Sequence, residues 1–93
     1  MTLKTTPFDI VDFIAEPEDA VEYLKVVMEN GNSDEIRAAL NNIVRARGVQ
    51  NIAKETGLTR AAVYKALGEK GNPTLSTLLA LTKALGVRLS VAA

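Results

Sequence analysis

A chain of 93 residues, 47% of them apolar and 24% charged, suits one small domain that buries about two thirds of its unfolded surface. It holds no cysteine and no histidine, which excludes a disulfide framework, a thiolate metal site, a thiol nucleophile and the commonest general base. The formal net charge is zero, yet residues 1–35 carry nine acids against two bases and residues 36–93 nine bases against two acids. An acidic arm of −7 thus precedes a basic body of +7, and the two are expected to meet different partners unless they neutralise each other.

The first seventeen residues lack the long apolar centre of a signal peptide, and no run approaches the roughly 18 apolar residues of a membrane span. A soluble, cytoplasmic protein is expected. The segment "PFDIVDFI" (7–14) reads as a short helix, with a strand as the alternative. Pro17 suits the first position of a second helix, with Glu18 and Asp19 favourable to its dipole, Val21, Leu24 and Met28 inward, and Gly31 as its end. Ser33 is the expected cap of a third helix, with Asp34 and Glu35 in its first turn, Arg45 and Arg47 in its last, and Gly48 beyond. Its inward face is Ile36, Leu40, Ile43 and Val44.

The stretch "NIAKETGLTRAAVYKAL" (51–67) holds two short helical patterns separated by a Gly-Leu corner. Gly57 tolerates positive φ, Ala53 lets two helices approach closely, Leu58 can plug the corner, and Thr59 caps the second helix. Its buried face is Val63, Ala66 and Leu67. These are the requirements of a helix-turn-helix, whose second helix is presented outward to the DNA major groove. After a loop at 69–73, Thr74 caps a last helix with Leu75, Leu78, Leu79 and Leu85 inward. "VRLSV" (87–91) alternates as a half-buried strand that must pair near the N-terminus or with a second copy of the chain.

The outward positions of the second corner helix are Thr59, Arg60, Ala61, Tyr64 and Lys65. Arg60 suits guanine O6 and N7, and Ala61 suits a thymine methyl. Tyr64 and Lys65 suit phosphate, as do Gln50 with the amides beside it, and Lys70, Asn72 and Thr74 across the loop. Arg45 and Arg47 would add charge to the same surface. The plainer readings stand beside these: a tight glycine corner occurs in helical domains that touch no DNA, Arg60 and Lys65 are then solvated charges, and Tyr64 is core.

The stretches "FDIVDFIAEPEDAVEYL", "AALNNIVRARGVQNIAKETGLTRAAVYKAL" and "GNPTLSTLLALTKALGVRLSV" resemble the Xre/Cro-type antitoxins called addiction module antidote proteins, HigA-like partners of RelE/ParE-superfamily toxins. The resemblance covers nearly the whole chain. "ALNN" departs from the more frequent "ALGD" on the first core helix. The resemblance implies an all-α, five-helix, lambda-repressor-like helix-turn-helix bundle with the short C-terminal strand. It divides the chain into an acidic toxin-binding segment at 1–33 and a DNA-binding domain at 34–93. It also implies that Gln50, Thr59, Arg60, Ala61, Tyr64 and Lys65 face DNA, and that the protein neutralises a basic toxin and represses its own operon. A homodimer would place two recognition helices about 34 Å apart on a palindrome. Phe8, Phe13 and Tyr23 are candidate anchors for the toxin, with Glu18 among the acids around them; the plainer reading packs these aromatics on the bundle.

Catalysis is not expected. The carboxylates Asp9, Asp12, Glu16, Glu18 and Asp19 lack calcium-loop spacing, and acids at a helix start have a simpler cause. No cofactor or metal is expected. A stand-alone phage-type repressor is the alternative function, and a protein-binding antitoxin with a vestigial corner is a further one.

Overall fold

The computed structural model describes residues 9–91, and Phe8 lies outside them. One turn, α1 (Ile10–Phe13), precedes five longer helices: α2 (Pro17–Asn30), α3 (Ser33–Arg47), α4 (Val49–Thr56), α5 (Arg60–Leu67) and α6 (Leu75–Ala84). The short helix expected within 7–14 forms as this one turn, and it brings the described helices to six, one more than the five-helix bundle the resemblance implies. Asp9 caps it, its carboxylate accepting from the Val11 amide at 3.1 Å.

Helix α3 is the axis of the molecule. It packs against α1 and α2 on one side and against α4 and α5 on the other, and α6 closes over α4. The core joins Ile14, Ala20 and Leu24 from the N-terminal part to Leu40, Ile43 and Val44 of α3, Ile52 of α4, Val63 and Leu67 of α5, and Leu81 and Leu85. Ile43, Ile52, Leu67, Leu81 and Leu85 are fully enclosed, and each such side chain contributes about 1.5–3 kcal/mol by leaving water.

Several expectations shift by a residue. In α2 the inward stripe is Ala20, Tyr23, Leu24 and Val27, while Met28 is exposed. In α6 it is Leu78, Leu81, Thr82 and Leu85, while Leu75 and Leu79 are exposed. Both stripes keep i, i+3, i+4, i+7 spacing; the leucines on every side of α6 made its phase ambiguous. The cap of α3 is Asn32 rather than Ser33. Its side chain accepts from the Glu35 amide at 2.9 Å, and Glu35 Oε1 accepts from the Asn32 amide at 3.1 Å, a reciprocal capping box.

The expected strand at 87–91 is not formed among the described residues. Gly86 turns the chain with φ +76, and the Val87 amide donates to the Thr82 carbonyl at 2.9 Å. Beyond that, no described segment offers residues 88–91 a ladder. A strand exists only with a neighbour.

Candidate nucleic-acid interface

The corner between α4 and α5 is built from four local devices. Gly57 stands at φ +78, ψ 4, and its amide donates to the Ala53 carbonyl at 2.9 Å, ending α4. Thr56 Oγ1 donates to the Ile52 carbonyl at 2.8 Å and accepts from the Leu58 amide at 3.2 Å. Leu58 packs half-buried against the core. Thr59 Oγ1 accepts from the Ala62 amide at 2.9 Å, which starts α5. Three residues thus separate the helices.

With Val63 and Leu67 buried, the opposite face of α5 is presented to water. Thr59, Arg60, Ala61, Tyr64 and Lys65 are all exposed, Tyr64 at 50%. Gln50 is exposed on the first turn of α4. Lys65, Asn72 and Thr74 meet around one shallow depression of about 360 Å³ between α5 and the start of α6, with Lys70 on its rim. Thr74 is also the cap of α6, accepting from the Thr77 amide at 3.2 Å. Thr59 and Thr74 therefore have structural work independent of any ligand.

Lys54, Arg60, Lys65 and Lys70 make no salt bridge among the described residues. The three arginines of α3 differ. Arg37 reaches from α3 to the end of α5 and donates to the Leu67 and Gly68 carbonyls at 3.1 and 2.6 Å. Arg47 donates to the Leu85 carbonyl at 3.2 Å, closing the end of α6. Arg45 bonds Asn42 at 3.1 Å and pairs with Asp9 at 3.6 Å. Arg45 and Arg47 thus both have partners within the chain. Arg37 was not singled out from sequence, because nothing local announces a bond spanning thirty residues.

On the acidic side, Phe13 is 60% exposed and Glu18 is exposed. Tyr23 lies partly buried against the core, and its hydroxyl accepts from Asn42 Nδ2 at 3.0 Å. The "NN" of the third helix thereby ties α2 to α3. Among the described residues two ion pairs join the acidic and basic halves, Asp9–Arg45 and the one-turn pair Asp34–Arg37 at their boundary, so the halves largely keep their fields. No described group of three or more acidic, cysteine or histidine residues could hold a metal ion, and no described helix is long and apolar enough to cross a membrane.

Over residues 4–93 the chain matches the family described as "Probable addiction module antidote protein". It is 35% identical over 91 residues to an uncharacterized protein of Haemophilus influenzae, a match spanning 98% of this chain and 94% of that protein. No solved structure matches. The chain belongs to the addiction module antidote family, the antitoxin side of toxin–antitoxin modules, and is a non-enzymatic protein. An antidote has a toxin as its partner.

Proposed function

We propose that this antitoxin has two activities on two surfaces. It neutralises a basic RelE/ParE-superfamily toxin by direct binding, and it represses its own operon as a homodimer by inserting α5 into the DNA major groove as an Xre-type helix-turn-helix. The observation that carries the DNA reading is the face of α5: a tight glycine corner turns outward a surface of Thr59, Arg60, Ala61, Tyr64 and Lys65, whose two charges have no partner in the described chain. Arg60 reads guanine and Ala61 a thymine methyl, while Gln50, Lys65, Tyr64, Asn72 and Thr74 hold phosphates. The exposed acids of the first half, with Glu18 and Phe13 among the contacts, are complementary to a basic toxin.

Fluorescence anisotropy with a duplex from immediately upstream of the gene tests the repressor activity. A shuffled duplex and an Arg60→Ala protein run in parallel across a salt series. Tight binding of the native duplex, weakened about ten- to a hundredfold by Arg60→Ala, is the expected result. Equal and steeply salt-dependent binding of both duplexes would reduce the surface to phosphate attraction. No binding, with and without toxin, would remove the repressor activity.

A further inference from the structure

We infer that residues 87–91 pair antiparallel with the same residues of a second copy, about a two-fold axis through Leu89, and that this ribbon with the exposed face of α6 forms the homodimer interface. The inference rests on the homodimer in the functional reading above and adds its surface and register.

Three observations lead there. First, residues 88–91 find no backbone partner among the described residues, and an unpaired alternating segment is a template for another chain. Second, large exposed apolar side chains gather in this region: Leu75 at 69%, Leu79 at 47%, Leu89 at 41% and Val91 fully exposed. Leu75 and Leu79 are one turn apart on the same face of α6. A shallow groove of about 440 Å³ continues from Leu79 past Val87 to Leu89. Third, the segment is complementary to itself in one register. Centred on Leu89, antiparallel pairing sets Val87 against Val91 and Leu89 against Leu89 on the apolar face. On the other face it sets Arg88 against Ser90, so no like charges stand directly opposite. Centring on Arg88 would oppose two arginines at the axis, and centring on Ser90 would set Val87 against only the small Ala93. In this register the segment pairs with its own copy, keeping the apolar face continuous and opposing no like charges.

The absence of cysteine makes the register measurable. Residues directly opposite in an antiparallel pair have Cα atoms about 4.5–5.5 Å apart, within the disulfide range, while diagonal neighbours at about 7–8 Å fall outside it. The full chain is made with Leu89→Cys, Arg88→Cys or Ser90→Cys, its helicity checked by circular dichroism, and oxidised mildly beside wild type in sedimentation velocity. The expected result is a wild-type dimer and a Leu89→Cys protein that cross-links about tenfold faster than the other two. In addition, Leu89→Arg, which opposes two guanidinium groups at the axis, should shift the chain to monomer. A monomeric wild type would overturn both this interface and the homodimer. A wild-type dimer with equal cross-linking at the three positions, or none at Leu89→Cys, would overturn this interface and leave the homodimer standing. A wild-type dimer with selective Cys cross-linking but no DNA binding would support this interface while removing the repressor.

Discussion

Arg37 and Arg60 show how differently two arginines of one basic half behave. The Arg37 side chain is only 13% exposed, and it supplies donors to two carbonyls that the end of α5 leaves without helical partners. Its Nε is buried without a partner, so its hydrogen bonds come through Nη1, beside a long Nη2 contact of 3.9 Å to the exposed Asp34 carboxylate. Arg37→Ala should cost about 1.5–3 kcal/mol, the range for charge-assisted hydrogen bonds, measured by urea unfolding; a change within experimental error would mean water replaces the guanidinium at no cost. Arg60, exposed on α5, should unfold unchanged as Arg60→Ala, within about 0.5 kcal/mol, while operator affinity falls. Thr59 can be separated into its two roles. Thr59→Asp keeps the cap and adds a charge favourable to the start of α5, yet sets a carboxylate against the phosphates. Stability held or raised, with DNA binding weakened, is the expected pair of results. DNA binding left intact would take Thr59 off the interface.

Among the elements, the α4–α5 corner and the loop after α5 both depend on glycine, for different reasons. A Cβ at Gly57 would meet nothing within 4 Å, but φ +78 is costly for an L residue. Gly57→Ala should therefore cost about 1–2 kcal/mol of backbone strain without blocking the corner. At Gly71 a Cβ would collide with the carbonyl oxygen of Ala66 and sit 2.7 Å from that of Lys65, so Gly71→Ala must move the loop off the end of α5. Gly71→Ala should be the more damaging by thermal unfolding, and the reverse order would mean that the loop yields easily. Gly57 was legible in the sequence, because a lone glycine between two helical patterns has one use. Gly71 was not, because close approach leaves no periodic trace. The caps at Thr59 and Thr74 were legible for the same local reason, whereas Asn32 was passed over for Ser33 although Glu35 stands three residues on. The phases of α2 and α6 were less legible. A leucine-rich helix has several equivalent apolar stripes, and only the packing of α3 and α4 selects among them. The exposed face of α5 could be read in advance because Val63 and Leu67 fix its rotation. The roles of Arg37 and Arg47 could not, since their partners lie 30 to 38 residues away.

At the scale of the whole molecule, the charge division survives folding. Of the described ion pairs, Glu22–Lys25 lies within the acidic half, Asp34–Arg37 spans one turn of α3 at the boundary, and Asp9–Arg45 is the long-range pair between the halves. A fold that neutralised its own halves would offer neither field to a partner. The acids cannot be removed by truncation, because Ile14, Ala20 and Leu24 belong to the common core, so deleting residues 1–33 would test stability rather than recognition. Reversing exposed charges is cleaner. Glu18 and Asp19 lie exposed in the first turn of α2, and Glu18→Lys with Asp19→Lys leaves the buried stripe intact at the cost of an unfavourable dipole interaction of about 0.3–1 kcal/mol per residue. If the acidic half steers a basic toxin, the double variant should associate about tenfold more slowly at low salt, with the difference closing as salt screens it. Dissociation should change little, because steering acts on encounter and rim charges chiefly alter the association rate. Stopped-flow or surface-resonance kinetics with the neighbouring toxin measures both. If the proposed DNA surface binds phosphate, the same two lysines should strengthen salt-dependent binding to the shuffled duplex, since the double change removes two negative charges and adds two positive ones. A toxin association rate and salt dependence unchanged from wild type would mean that the acids serve solubility and helix polarity, and that the toxin is held by the apolar surface alone.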